Sequence, residues 1–404
     1  MKKLILIFVF LLIKTTFFAQ PVTKTMLRLP DTGQTTGFTN TFGEDNDYSK
    51  NVPFFINMNA LITTDTVTDL MWQRTDGGEM TIENAAKYCD TLTLGGFTDW
   101  RLPTPHEAFS ILNLQNNKPA LDTKNFTKTA AEYWWSSVKQ TGDATKVWCT
   151  NAGGGIGNHP KSETKSAGGT KFFHVRAVRD VKTPTTIVAH FTDNGDGTIT
   201  DNLTNLVWQK TPNPNLLTWE DALKYAENLT FATVSDWRLP NIKEMQSIND
   251  ESVTKPSVST TFFPTIGVKK YWSSTSLPNQ TTKAWYLDTQ FGITTYDEKT
   301  VANSVLCVRY NTKTTTNQAV LVEEEGNIRV FPNPNNGILS LQLSDNLPIS
   351  DVQNISIFDL KGGLIYQNVS FIEKIDLKNV AHGVYIIKIQ CANGLIVKKV
   401  VIEN

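Results

Sequence analysis

The 404-residue chain is poor in the residues from which most enzyme centres are built, with 5 histidines, 4 cysteines and a charged fraction of only 19%. It contains no Gly-x-Ser-x-Gly elbow, no His-Glu-x-x-His pair and no Walker loop, so the commonest hydrolase, metalloprotease and nucleotide-binding signatures are missing. A formal net charge of -1, with no basic run interleaved with aromatics, excludes charge-driven binding to nucleic acid. After the first twenty residues no apolar stretch reaches the length of a membrane-spanning helix. The cysteine spacings fit neither a zinc ribbon nor a thioredoxin-like pair.

What is present is repetition. Leu70-Met71-Trp72-Gln73, Asp99-Trp100-Arg101-Leu102-Pro103 and Trp135-Ser136-Ser137 return as Leu206-Val207-Trp208-Gln209, Asp236-Trp237-Arg238-Leu239-Pro240 and Trp272-Ser273-Ser274. The offset is about 137 positions, a domain rather than a solenoid unit. It falls to about 130 at Arg179 and Arg309, so copy one carries roughly seven extra residues late in the module, expected in the flexible glycine run Gly153–Gly157 or its neighbourhood.

The ends divide the chain further. Residues 1–19 read as a secretory signal peptide, with Lys2-Lys3, an apolar run from Leu4 to Ile13 and cleavage after Ala19, although Phe17 departs from the small-residue rule there. Residues 20–182 then form the first module with its N-terminal lead, 183–312 the second module, 313–327 a polar linker and 328–404 a small all-β sandwich. No later segment anchors the chain in a membrane, so export from the cell is expected.

Each copy predicts a hairpin, a helix, a second helix start and several aromatic strands. The hairpin is clearest at Phe191–Asp201, and copy one loses its Asp-Gly turn at Asn57–Ile62. Thr81 and Thr218 are N-caps, and Trp219, Ala222, Leu223, Ala226 and Leu229 mark one buried helical face. The three upstream cysteines allow a bridge: Cys89 with Cys149 is preferred, Cys89 with Cys307 across the modules is the rival, and reduced thiols are the remaining alternative.

A residue needed for shared chemistry should occur in both copies. His106 faces Lys243, His174 faces about Ser304, and His159, His190 and His382 have no counterpart, so no histidine base is duplicated. Duplicated instead are Asp99/Asp236, Arg101/Arg238, Glu107/Glu244, Arg179/Arg309 and the tryptophans, including Trp100/Trp237. They form either a ligand site or a buried network joining helix to sheet, and the residue types favour the network. Trp148 and Trp285, near the variable late loops, are the best exposed aromatic platforms. Asp193, Asn194, Asp196 and Asp201 form either an Asp-Gly turn or a calcium site, which makes calcium the one candidate cofactor.

The module, through Asp193-Gly195-Asp196-Gly197-Thr198, Leu206–Gln209, Asp236–Pro240, Tyr271–Ser274, Ala284-Trp285-Tyr286 and Cys307-Val308-Arg309, resembles the Lcl C-terminal domain family. The resemblance implies a C-type lectin-like fold and adhesion or glycan contact, with ligand residues in the late loops: Trp148, Asn151, Asn158 and His159 in copy one, and Trp285, Asp288, Gln290 and Tyr296 in copy two. The Glu-Pro-Asn and Trp-Asn-Asp signatures of calcium-dependent sugar binding are absent. Residues 328–404, through Phe331-Pro332-Asn333-Pro334, Gly337, Ile357–Gly362 and Gly383-Val384-Tyr385, resemble the type A sorting domain of type IX secretion. That implies recognition by the type IX export machinery and a place in the medium or on the outer-membrane surface of a Gram-negative bacterium.

The expected fold class is therefore α+β: two tandem C-type lectin-like modules and a C-terminal immunoglobulin-like sandwich. The expected function is a non-enzymatic adhesin or glycan-contacting protein with a glycan or host-surface ligand. The alternatives are a formylglycine-generating-type enzyme, which would need clustered active cysteines, and a structural envelope protein.

Overall fold

The computed structural model describes residues 22–127, 132–162, 172–311, 328–343, 348–359, 363–391 and 394–403. The expected signal peptide, the whole linker 313–327, and Leu360-Lys361-Gly362 of the sorting motif lie outside these residues. The chain divides into two compact units, 1–311 and 312–404.

In the first unit, copy one comprises β2 to β8, preceded by β1 (Val22–Lys24). Its first sheet places β2 (Phe55–Asn57), β3 (Ile62–Asp65), β4 (Leu70–Gln73) and the late strand β8 (Val178–Asp180) side by side, all antiparallel. Between β4 and β8 run α1 (Ile82–Thr91), α2 (Pro105–Ser110) and a second sheet of β5 (Tyr133–Gln140), β6 (Asp143–Asn151) and β7 (Ile156–Pro160). Copy two repeats this topology. After β9 (Thr185–Ile187), which pairs with β1, one sheet is built of β10 (Phe191–Asp193), β11 (Thr198–Asp201), β12 (Leu206–Gln209) and β16 (Val308–Tyr310). Helices α3 (Trp219–Glu227) and α4 (Ile242–Ser247) then precede the sheet of β13 (Lys270–Ser276), β14 (Lys283–Asp288) and β15 (Ile293–Glu298).

The molecule is nearly all β, with 37% strand and 11% helix, which corrects the expected α+β class: the tandem modules are β-rich. The helical signals were real but short. Thr81 and Thr218 each accept a hydrogen bond from the first turn, and α1 buries only Ala85 and Cys89. Helices of six to ten residues cannot stand alone, and here they serve as clasps on sheets.

Copy one keeps its opening hairpin without the Asp-Gly turn, because Asn59 Oδ1 accepts from the amides of Leu61 and Ile62. The late insertion is also displaced from its expected place. Gly153–Gly157 forms a packed β6–β7 turn, with Gly154 buried against Leu114 and Trp285. The extra chain lies between Pro160 and His174, fourteen residues apart where Glu298 and Ser304 are six apart, and most of it falls outside the described residues.

One continuous core serves both copies. Trp72, Phe126, Trp134 and Trp148 of copy one pack into the same cluster as Trp208, Phe263, Tyr271 and Trp285 of copy two. Smaller clusters sit behind it, one per copy, around Trp135 and Trp272. At the seam α2 meets α4 and β7 meets β15. Each element touches its own counterpart, the mark of a self-complementary, pseudo-twofold interface.

The lead crosses that seam. Thr32 O accepts from the Leu114 amide and Gln115 Oε1 from the amides of Thr35 and Thr36 in copy one, while Gln34 Oε1 accepts from the amide of Ser276, Asp45 Oδ2 from the hydroxyls of Thr32 and Thr275, and Tyr48 donates to Glu227, so residues 31–48 bridge to copy two.

The second unit is a two-sheet sandwich. The first sheet contains β17 (Ile328–Phe331), β18 (Ile338–Leu343) and β21 (Lys374–Asp376). The second is formed by β20 (Leu364–Asn368), β19 (Val352–Asp359), β22 (Gly383–Cys391) and β23 (Gly394–Ile402). Leu339, Leu341, Ile355, Ile357, Ile387 and Ile389 fill its core. Asn335 Oδ1 accepts from the Gly337 amide, and Gly337 sits at φ +86 against the Lys378 backbone, where a side chain would collide.

Candidate functional site

The duplicated charges resolve into two copies of one clasp. Arg101 donates to both Glu107 carboxylate oxygens at 2.7 and 2.8 Å and pairs with Asp180 at 2.9 Å. Arg238 grips Glu244 at 2.6 Å through both nitrogens. Each glutamate also caps its own short helix: Glu107 accepts from the Thr104 amide and Glu244 from the Asn241 amide. The Arg101 amide donates to Val178 O and that of Arg238 to Val308 O, which ties the clasp to the last strand of each module. Burial alone would raise the Glu107 carboxyl, but the Arg101 guanidinium holds it below the ordinary range. Both oxygens are used within the protein, so the clasp is structural in geometry.

The other repeated pairs behave similarly. Arg179 forks onto Asp99 at 2.7 and 2.9 Å and lies 4.0 Å above the Phe97 ring, while Arg309 meets Asp236 at 3.4 Å. The Trp100 indole donates to Leu94 O and Phe97 O, and that of Trp237 to Phe231 O.

The expected ligand platforms are not platforms. Trp148 and Trp285 are only 1% and 2% exposed, deep in the shared core, because both faces of the middle strands β6 and β14 are covered. The late loops around them pack on each other: the Ile156 amide donates to Thr294 Oγ1 at 3.0 Å, and Asn151 Oδ1 accepts from Gly153 and Gly155. Asn158 is half-buried on β7, and His159 packs against Tyr133 and Phe173. Asp288 Oδ1 accepts from the Gln290 amide. Gln290 and Tyr296 remain exposed, with Tyr296 edge-on to the buried Trp285.

The Asp-Gly hairpin is built as a turn. Asp193 pairs with Lys210 and accepts from the Gly195 amide, Asp196 accepts from the Thr198 amide and hydroxyl, and Asn194 bonds Thr198 and Thr200. Asp201 lies at the far end of β11, fully buried, and caps Leu203 and Thr204. These four residues do not converge on one point, and the described residues hold no cluster of three metal-ligating side chains.

Of the alternatives open to the cysteines, the structure holds the reduced one. Cys89, Cys149 and Cys307 form no disulfide: Cys89 and Cys149 share the small core of copy one, and Cys307 lies in that of copy two. Burial pushes the Cys89 thiol up to about 12 and that of Cys307 higher still, which makes both poor nucleophiles.

Sequence reading missed a space at the seam. A cavity of about 490 Å³ lies between α2, α4 and the segment 22–29, lined by residues of both copies and open to solvent beside the exposed Thr23 and Arg28. Its one sequence signal is a break in the repeat: Gln246 stands where copy one has Phe109.

Comparison with known proteins agrees with the repeat. The Lcl C-terminal domain model matches residues 61–179 and 197–309, and the secretion system C-terminal sorting domain model matches 329–403. No curated protein matches the chain. One solved structure it is similar to is PorZ, an essential bacterial surface component of the type-IX secretion system of Porphyromonas gingivalis, at 14% identity over 67% of this chain. The chain spans 30% of PorZ, and the TM-score of 0.17 carries no structural argument. The sorting domain marks the chain for type IX export, to the medium or the cell surface of a member of the Bacteroidetes. No helix among the described residues is long and apolar enough to cross a membrane. With two matched copies filling most of its first unit, the chain belongs to the Lcl C-terminal domain family.

Proposed function

We propose that this is a non-enzymatic recognition protein, an adhesin or glycan-contacting protein carried out of the cell by its sorting domain. The observation that supports this reading is the fate of the duplicated polar residues. Arg101, Glu107, Arg238 and Glu244 are spent on clasps, so the charged residues that the copies share are scaffold. Two groups stay exposed on the late edge of copy two, the Gln290 side chain in the turn before β15 and the Tyr296 ring on β15, with Lys283 Nζ 5.3 Å from the ring centroid, and both can meet a polar ligand. The two modules share a core, so any two sites are held at a fixed spacing rather than on a tether.

A glycan and matrix-protein array probed with the exported chain, with and without a calcium chelator, tests the reading. Saturable binding that survives the chelator is expected. An array blank at high protein density would instead favour a structural envelope protein, and turnover of a cysteine-bearing peptide would favour the enzyme.

A further inference from the structure

One face of the module occurs twice, filled in copy two and empty in copy one, and the filled face shows what the empty one can hold. In copy two the chain's own residues 38–48 cover α3 and the end of β13. Glu44 is their anchor: its Oε1 accepts from Ser276 Oγ, and its charge acts on Lys299. Thr39 donates to Glu220 and Tyr48 to Glu227, each at 2.7 Å and each to a carboxylate of α3. Under this cover Ser274 and Ser276 are only 1% and 0% exposed.

Strand register fixes the corresponding positions in copy one. Lys139 pairs with Val147 as Ser276 pairs with Ala284, and the Lys161 amide donates to Thr145 O as the Lys299 amide does to Thr282 O. Both places that face the Glu44 carboxylate in copy two are therefore lysines in copy one. They line the groove of about 650 Å³, and neither ammonium has a hydrogen-bond or ion-pair partner among the described residues. Glu83 and Asp90 stand for Glu220 and Glu227 and are exposed, without hydroxyl donors. The smaller Ile82 and Ala86 replace Trp219 and Leu223 on the same wall, which leaves room for a side chain from outside.

We propose that this groove docks an extended segment of a partner protein, with one carboxylate held between Lys139 and Lys161 and hydroxyl side chains donating to Glu83 and Asp90. The wall selects for that mixture. A uniformly anionic chain would meet Glu83, Asp90 and Asp180, and a polycation would meet the two lysines. Arg101 takes no part, since its guanidinium is held by Glu107 and Asp180. Val138 stands where Thr275 donates to Asp45 in copy two, so a second acid is not wanted there. The chain's own lead is not the occupant, because it is tethered to copy two at a high effective concentration.

The test is titration calorimetry of the full exported chain with a synthetic peptide of residues 38–48 carrying Asp45→Ala, which presents the carboxylate and hydroxyls that copy two already accepts. Saturable one-to-one binding by about 1 mM peptide is expected, weaker at high salt. Lys139→Glu combined with Lys161→Glu should weaken binding at least tenfold with Tm unchanged, since neither side chain is in the core. Glu44→Gln in the peptide should weaken it at least threefold, a comparison that leaves the protein unaltered. Four results overturn the proposal. They are no saturation, undiminished affinity in the double variant, which would put the peptide on copy two in exchange for the lead, capture of a sulfated polysaccharide at the lysines in preference to the peptide, and a dimer of this chain that the double variant abolishes. The glycan array with neutral sugars reports on the late edge of copy two separately, so either reading can fail without the other.

Discussion

The same face of the two modules is closed in one and open in the other. On copy two it is occupied by residues 31–48: Thr39 donates to Glu220, Tyr48 to Glu227, and Gln34, Glu44 and Asp45 bond the end of β13. On copy one the matching positions Glu83, Asp90, Arg101, Lys139 and Lys161 line an open groove of about 650 Å³. The lead bonds both copies: the Leu27 and Arg28 amides donate to Thr68 O and Val67 O, and those of Thr35 and Thr36 to Gln115 Oε1, in copy one, while Gln34, Glu44, Asp45 and Tyr48 bond copy two. The lead therefore acts as a staple from the start of the chain to its second module, and the modules differ in stability wherever the staple reaches.

That contrast breaks most decisively if the staple is removed. Deleting residues 22–50 should expose Thr275, Ser276 and the Arg238 clasp and lower the calorimetric Tm by more than about 10 °C. An unchanged Tm would mean the lead is a passive surface segment. The next largest effect compares the clasps. Arg238 is 3% exposed and Arg101 30%, so Arg238→Ala should cost about 3–5 kcal/mol in urea unfolding and Arg101→Ala about 2. Equal costs would show that the staple contributes nothing to burial of the clasp.

A pH series sharpens the comparison further. Burial and the neighbouring Asp31 push the Asp45 carboxyl up to about 8, against the hydroxyls of Thr275 and Thr32 that favour its charged form. A carboxyl that binds its proton more tightly in the folded state stabilises the fold at low pH. Stability should therefore fall as pH rises from about 4 to about 8. Asp45→Asn, whose side-chain oxygen can still accept from both threonines, should flatten that slope in Tm measured against pH. The smallest effect concerns the late edges. Tyr296→Ala should change stability by less than about 1 kcal/mol yet reduce array binding, whereas His159→Ala, beneath Tyr133 and Phe173, should do the reverse.

The repeat, its paired clasps and the capped helices were legible because each is written locally, in a motif such as Asp-Trp-Arg-Leu-Pro or a threonine before an amphipathic turn. The fold class was not. Strands such as β8 and β16 hold only three residues, too few to show a period, while the helices advertise a clear apolar face. Exposure of Trp148 was misjudged for a related reason: Val147, Trp148, Cys149 and Thr150 are all buried, so alternation along β6 does not separate a dry face from a wet one. The docking of the lead on a module 179 to 242 residues away leaves no mark in its own composition. Among the candidate site residues, sequence grouped the late loops correctly in position but could not show that the two sets face each other.

A seam between like halves carries one further meaning. In a dimer of identical subunits, whatever lies on one side of the twofold is repeated on the other, and a single asymmetric molecule cannot be matched by both. Covalent fusion lifts that constraint. Phe109 and Gln246, or His106 and Lys243, have been able to drift apart while the surrounding architecture stayed paired. Duplication has thus given this chain a symmetric frame around an asymmetric middle, an arrangement no self-associating single copy could reach.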